Sequence, residues 1–263
     1  MTAKPWISKK APLSGAFFLL VLCWQEIHAD SCSPPANTDH VQIRSVHDGD
    51  TLTLSDNRRV RLIGINTPEV AGKEHSGEPL AIEARNRLRQ LMFQHGNRAQ
   101  LVVGKEPGDR YGRTLGHLWS PADENIAATL LREGRGWSIS VPPNLQYLDC
   151  YRQAEKKARN HARGIWKHPQ YQPLQSRGLD LRSSGFHRVQ GRVIRVNHGG
   201  GALWINLEGR FAIRIPDADL EWFPHRPGRS WIGRKVEVRG WLYSTKGELR
   251  TNIHHPDALQ ILH

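Results

Sequence analysis

Three short polar segments in the first half of the chain carry residues able to handle a phosphate. They read His47-Asp48-Gly49-Asp50-Thr51, Arg61-Leu62-Ile63-Gly64-Ile65-Asn66-Thr67-Pro68-Glu69 and Asp109-Arg110-Tyr111-Gly112-Arg113. Carboxylate, amide and carbonyl oxygens are what a hard divalent cation binds, and guanidinium matches phosphate oxygens in fork geometry. Cutting a phosphodiester requires a water deprotonated and aimed in line, charge on the phosphoryl oxygens stabilised, and the anion held still. Taken singly, each segment has a plainer reading. Asp48-Gly49-Asp50 is a turn, Thr67-Pro68-Glu69 a strand exit with a solvated Glu, and Tyr111-Gly112-Arg113 an ordinary loop. Arg61 is stronger: it sits in an otherwise apolar strand, so its guanidinium faces either solvent or a cleft.

The elements that must position these residues are mainly strands. Val41 to Val46 alternates apolar and polar residues, Asp48-Gly49 signals a turn, and Thr51 to Leu54 and Val60 to Ile65 complete a meander. A helix is expected from Pro79, with Leu80, Ala84, Leu88 and Leu91 at helical spacing and a stop at Gly96. Leu101 to Val103 and Thr114 to Trp119 read as two more strands. Asn125 to Glu133 and Leu145 to Arg163 read as further helices ending at Gly134 and Gly164. The fold class expected is α+β, mainly β: a five-stranded Greek-key barrel of the OB type with three helices.

Residues 169–185, rich in Pro, Gln, Ser, Arg and Gly, read as a linker. Residues 186–263 read as a second small β-rich, OB-like unit, with strands at Val189–Val196, Leu203–Leu207, Phe211–Ile215, Val236–Tyr243 and Glu248–Ile253. Asn197 to Gly201 is a glycine-rich hairpin loop with no helix after it, which argues for a turn rather than a phosphate cradle. Trp204, Trp222, Trp231, Trp241 and Tyr243 lie among many Arg there. They fit barrel packing or the stacking of single-stranded nucleic acid. The fourteen His, including His254-His255, show no metal-ligand spacing.

Composition narrows the partners. The 263 residues carry a formal charge of +12 and a pI near 10.1. That balance favours a polyanion, although a basic protein without one has the same composition. Lys4, Lys9 and Lys10 precede an apolar run from Leu13 to Trp24 that is short for a membrane span, and Ala29 offers a cleavage point. Residues 1–29 are therefore expected to be a signal peptide, and the protein secreted or periplasmic. No stable membrane insertion is expected after signal removal, and the chain is expected to be a monomer. A lipid anchor on Cys32 fits poorly behind Asp30 and Ser31. With Cys23 removed, Cys32 and Cys150 remain as an even pair, expected to form a disulfide outside the cytosol.

Together the segments resemble the staphylococcal nuclease (thermonuclease) family over about residues 39–168. The resemblance rests on Asp-Gly-Asp-Thr at 48–51, Arg-Leu-Ile-Gly-Ile-Asn-Thr-Pro-Glu at 61–69, Asp-Arg-Tyr-Gly-Arg at 109–113, Leu-Leu-Arg-Glu-Gly at 130–134 and Arg-Gly-Ile-Trp at 163–166. It implies a nuclease domain over 30–168 that is Ca²⁺-dependent, hydrolyses DNA and RNA, and leaves 3′-phosphate ends. Carried over by position, it makes Asp50 and the Thr67 carbonyl metal ligands and puts Asp48 near the metal through water. Glu69 becomes the general base, Arg61 and Arg113 the phosphate grips, and Tyr111 a substrate contact. The family has Asp where this chain has Asn66; an Asn oxygen still coordinates but brings no charge. The family's nucleotide-holding tyrosines are also missing from Gly136 to Val141. The competing reading is a non-catalytic nucleic-acid-binding OB-fold protein whose metal site is weakened at Asn66. A third is an envelope-tethered interaction module.

Overall fold

Alternating apolar residues make the first third of the chain into strands that close on themselves. The structure is a computed structural model describing residues 1–2, 32–72 and 76–262. The expected signal peptide, Cys23 included, lies outside these but for its first two residues. The elements of the first unit are β1 (Asp39–Val46), β2 (Thr51–Leu54), β3 (Arg59–Leu62), β4 (Ile65–Asn66), α1 (Ala81–Phe93), β5 (Arg98–Gly108), β6 (Thr114–Trp119), α2 (Ile126–Arg132), β7 (Trp137–Ser138) and α3 (Leu148–Asn160). The closed barrel runs β1-β2-β3-β6-β5. Its one parallel pair is β3 with β6; the others are antiparallel. This is the OB barrel expected. Leu52, Leu54, Val60, Leu62, Leu101 and Leu118 fill it, each fully buried side chain contributing about 1.5–3 kcal/mol.

Several expected boundaries move. The strand expected over Val60 to Ile65 breaks after Leu62. Gly64 turns there at φ +83, a left-handed conformation, and any Cβ on it would strike the Tyr151 ring. Ile65–Asn66 then pairs away from the barrel with β7, placing Asn66 opposite Trp137. Pro79 lies in a turn rather than at the first helical position. Leu80, at φ +63, is the residue before α1. The helix expected over Leu145 to Arg163 is shorter at both ends. Tyr147 is not yet helical, and Ala162 is left-handed with Arg163 extended. α2 begins where Asn125 caps it, its side-chain oxygen accepting the Ala128 N–H at 2.9 Å. Cys150, on the inner face of α3, is bonded to Cys32 across 118 residues of chain, as expected.

The second unit contains β8 (Leu174–Gln175), β9 (Gly185–His198), β10 (Ala202–Leu207), β11 (Phe211–Pro216), β12 (Lys235–Thr245), β13 (Glu248–Asn252) and β14 (Leu259–Leu262). The long β9 pairs with β12 through its first half and with β10 through its second. This closes a second barrel, β9-β10-β11-β13-β12. Its parallel pair is β11 with β13. Val189, Ile205, Phe211, Ile213, Val236 and Leu249 form its core. Within residues 169–185, expected as a linker, β8 pairs in parallel with β9, and buried Ser176 continues that pairing. The terminal strand β14, not expected from the sequence, pairs with β12. No helix among the described residues is long and apolar enough to cross a membrane.

The barrels are docked through α3 and β12. Glu155 on α3 accepts two hydrogen bonds from Arg239, at 2.8 and 2.7 Å, and the Ser138 backbone N–H at 2.7 Å. Asp257 accepts from Ser140 at 2.9 Å and from Arg152 Nε at 2.7 Å. Between these pairs Trp137 packs on Phe186, and Phe186 on Trp241, with ring centroids 5.1 and 4.9 Å apart.

Candidate active site

The turn from β1 to β2 carries Asp48-Gly49-Asp50 inward against the chain leaving β4. A Cβ on Gly49 would lie 2.8 Å from Thr67 and from Ala84 of α1, so only glycine permits this approach. Asp50 is 2% exposed. Its Oδ2 accepts the Thr67 N–H at 2.7 Å and the Thr67 hydroxyl at 3.0 Å, and lies 3.1 Å from Arg61 Nη1. Its Oδ1 accepts the Thr51 hydroxyl at 3.1 Å. Asp48 reaches back to accept the Asp50 N–H at 2.9 Å. Burial pushes the Asp50 carboxyl up to about 6; Arg61 and the Thr67 N–H oppose that rise, and Asp48 adds to it.

Arg61 projects from β3 across the turn at Ile63–Gly64. It donates to the carbonyls of Leu62 at 2.9 Å and Ile65 at 2.8 Å, and to Asn66 Oδ1 at 3.1 Å. The guanidinium thus fastens β3 to the start of β4 while touching both Asp50 and Asn66. Arg61 also lines a cavity of about 380 Å³, and the loop after β5 lines the same cavity. There Asp109 accepts the backbone N–H groups of Tyr111 and Arg113 and holds Arg113 Nε at 2.6 Å. Burial raises the Asp109 carboxyl, but those donors outweigh it and hold it below the ordinary value. The pair with Asp109 uses Nε, so the terminal nitrogens of Arg113 are not consumed by it. Tyr111 is 68% exposed, with Arg110 and Arg113 lying over its ring at 4.8 and 5.4 Å.

The structure therefore brings together Asp48, Asp50, Arg61, Asn66 and Thr67, and sets Arg113 and Tyr111 on the same cavity as Arg61. Glu69 stands apart from these contacts. It is exposed just beyond Thr67, its N–H donating to Glu78 Oε2 at 2.8 Å. Sequence reasoning passed over Thr51 and the role of Asp109. The Asp-x-x-x-Arg spacing of the 109–113 loop was the available signal for Asp109. Glu78 carried no signal.

Among the described residues no three His, Cys, Asp or Glu side chains converge on one point. The acceptors that do gather are oxygens: the Asp48 and Asp50 carboxylates and the Asn66 amide oxygen, with Arg61 touching Asp50 and Asn66. That set fits a hard cation.

A sequence model described as "Staphylococcal nuclease homologue" matches residues 59–168. It begins at β3, so the Asp48–Asp50 turn joins the matched region through the hydrogen bonds above. A thermonuclease of Staphylococcus intermedius is 32% identical over 159 residues, covering 58% of this chain and 93% of that protein. The chain belongs to the staphylococcal nuclease family. A micrococcal nuclease of Shigella flexneri is 33% identical over 145 residues, covering 50% of this chain and 75% of its own. The endonuclease YncB of Bacillus subtilis is 30% identical over 131 residues, covering 47% and 60%. In all three the similarity takes in about half of this chain, enough for one barrel of the family fold and not for both.

Proposed function

We propose that the protein is an exported nuclease that hydrolyses phosphodiester bonds of DNA and RNA and leaves 3′-phosphate ends. The observation that carries the reading is the cavity lined by both Arg61 and Arg113, with Arg61 in contact with Asp50 of the acidic turn, in a chain of the nuclease family. The apolar run behind Lys9 and Lys10 and the Cys32–Cys150 bridge support export.

Arg61 and Arg113 bind the non-bridging oxygens of the scissile phosphate. Their charge is worth most where negative charge grows in the transition state. Glu69, at the solvent-facing edge, takes a proton from the attacking water. The water oxygen bonds to phosphorus, the bond to the 5′ oxygen breaks, and that oxygen leaves with a proton from solvent. Asp109 keeps Arg113 aimed, and Tyr111 flanks the departing strand. Asp50, the Asn66 amide oxygen and the Thr67 carbonyl would hold Ca²⁺, with Asp48 near it through water. When bound, such an ion neutralises phosphoryl charge and acidifies water.

The test is incubation of the purified protein with plasmid and with a single-stranded oligonucleotide, in Ca²⁺ and in chelator. Cutting in Ca²⁺ alone, with 3′-phosphate ends, is expected. Retardation of the nucleic acid without cutting would overturn the reading in favour of a binding protein.

A further inference from the structure

The nuclease cavity does not end on the first barrel. Trp241, on β12 of the second barrel, lines it beside Ile139 and Val141. A neighbouring cavity of about 330 Å³ shares Arg110, Ile139, Val141 and Trp241 with it and continues to Tyr243 on the same strand. The two cavities adjoin at these shared residues, so the space lined by Arg61 and Arg113 borders the one that reaches Tyr243 of the second barrel.

The outer face of the second barrel continues that lining in kind. Residues alternate across a barrel wall, so Trp241 and Tyr243 project outward from β12. Arg250 stands directly opposite Tyr243 on β13, and Arg214 opposite Trp204 on the β10–β11 ladder. The Arg250 guanidinium lies 4.7 Å over the Trp204 ring, with Arg214 at 5.9 Å. One carboxylate interrupts the strip, Glu248 beside Arg250. From β12 the strip crosses β13 and β11 to reach β10. Trp241 is 48% exposed and Tyr243 36%. Phe186, packed on Trp137, props the Trp241 ring edge-on where the two cavities adjoin.

Aromatic faces alternating with guanidinium groups are what unstacked bases and their phosphates bind. Such a surface is tolerant of sequence because every base offers a π-face. The chain's charge of +12 is complementary to a polyanion. We infer that the strip Trp241–Tyr243–Arg250–Arg214–Trp204 is a track for the single-stranded polynucleotide whose scissile phosphate enters the first barrel. The inference rests on the nuclease reading for what the track leads to. It also answers the missing tyrosines of Gly136 to Val141: the aromatic surface beside the cleft is supplied by the second barrel.

The test is fluorescence anisotropy of a labelled single-stranded dodecamer, and of its duplex, with the full chain in chelator, where binding is read without cleavage. Wild type is expected to bind the single strand more tightly than the duplex. Trp241→Leu and Trp204→Leu, on separate strands so that a folding defect in one leaves the other informative, should each weaken single-strand binding about tenfold. Phe93→Ala, at the far end of α1, should not. Unchanged binding by the folded leucine variants, or a wild-type preference for duplex, would overturn the track. Cleavage of the dodecamer by wild type in Ca²⁺ is scored separately. Its failure alongside variant-sensitive binding would sink the nuclease reading and leave the track standing; cleavage with insensitive binding would do the reverse.

Discussion

The two barrels share one wiring and differ in what hangs from it. In each, the first strand pairs with the second and the fourth, and the third runs parallel to the fifth. In the first barrel the turn between strands one and two is Asp48-Gly49-Asp50. The chain after strand three carries Asn66, Thr67 and Glu69, and the loop between strands four and five carries Asp109 to Arg113. In the second the same three connections are the glycine turn 199–201, the long stretch 217–234 with 3-10 turns at Asp217–Trp222 and Arg229–Trp231, and Lys246-Gly247. The first set brings carboxylates and guanidiniums into contact, Asp50 with Arg61 and Asp109 with Arg113, whereas two of the three connections in the second are short glycine-containing turns. Topology decides where connections land; their residues decide whether anything happens there. The first barrel is also clad in three helices and stapled by a disulfide, while the second relies on its strands.

The largest test of this contrast is chemical. Glu69→Gln should cut the rate about 10²- to 10⁴-fold and Arg113→Ala about 10²- to 10³-fold. The melting temperature should stay within a degree or two, since neither side chain is in the core. A variant keeping most of the wild-type rate would remove that residue from the assigned role.

Next comes the staple. Replacing Cys32 and Cys150 with Ser opens a 118-residue loop, which the chain-entropy model values at roughly 4–5 kcal/mol. Urea unfolding should show the first barrel melting earlier and the second unmoved. A common shift of both would mean that they unfold as one unit.

Acid should separate them too. His117 is buried in the first barrel beside Tyr151, with its Nδ1 2.7 Å from the phenol oxygen, and burial lowers its pKa to about 4. The unfolded chain therefore takes up this proton first as pH falls below 6.5. Stability present at neutral pH is lost from there down to about 4, by about 3 kcal/mol in all. His117→Gln should flatten that part of the profile, measured by denaturation at stepped pH. A profile identical to wild type would place the acid sensitivity elsewhere.

The smallest expected effect is Asn66→Asp. It restores a carboxylate beside Asp50 and Arg61, and should lower the Ca²⁺ concentration for half-maximal cleavage several-fold. An upward shift, or none, would count against a role for position 66 in holding the ion.

Much of this was legible in the chain. Alternation at Val41 to Val46 and Thr51 to Leu54 located the first strands, and the apolar spacing after Leu80 located α1. What escaped was set by distant partners. Nothing local says that the strand from Val60 must stop at Gly64; the Tyr151 ring, nearly ninety residues later, leaves no room for a side chain there. Leu259 to Leu262 is too short to announce a strand until β12 offers an edge. The site residues were visible as types, but the bonds joining Asp50 to Thr67 and Arg61 to Asn66 were not. Glu69, singled out with them, stands exposed beyond their shared contacts. Trp241 could not be assigned to the cleft at all, because it comes from the other barrel.

The docking contacts have a mechanical consequence. Glu155 is one carboxylate with two duties: it holds Arg239 of the second barrel and the backbone of Ser138. Ser138 lies on the two-residue ribbon that carries Asn66. Tilting the second barrel would therefore pull on the ribbon that presents Asn66 to the acidic turn, so the proposed track and the proposed ion ligands would share one lever.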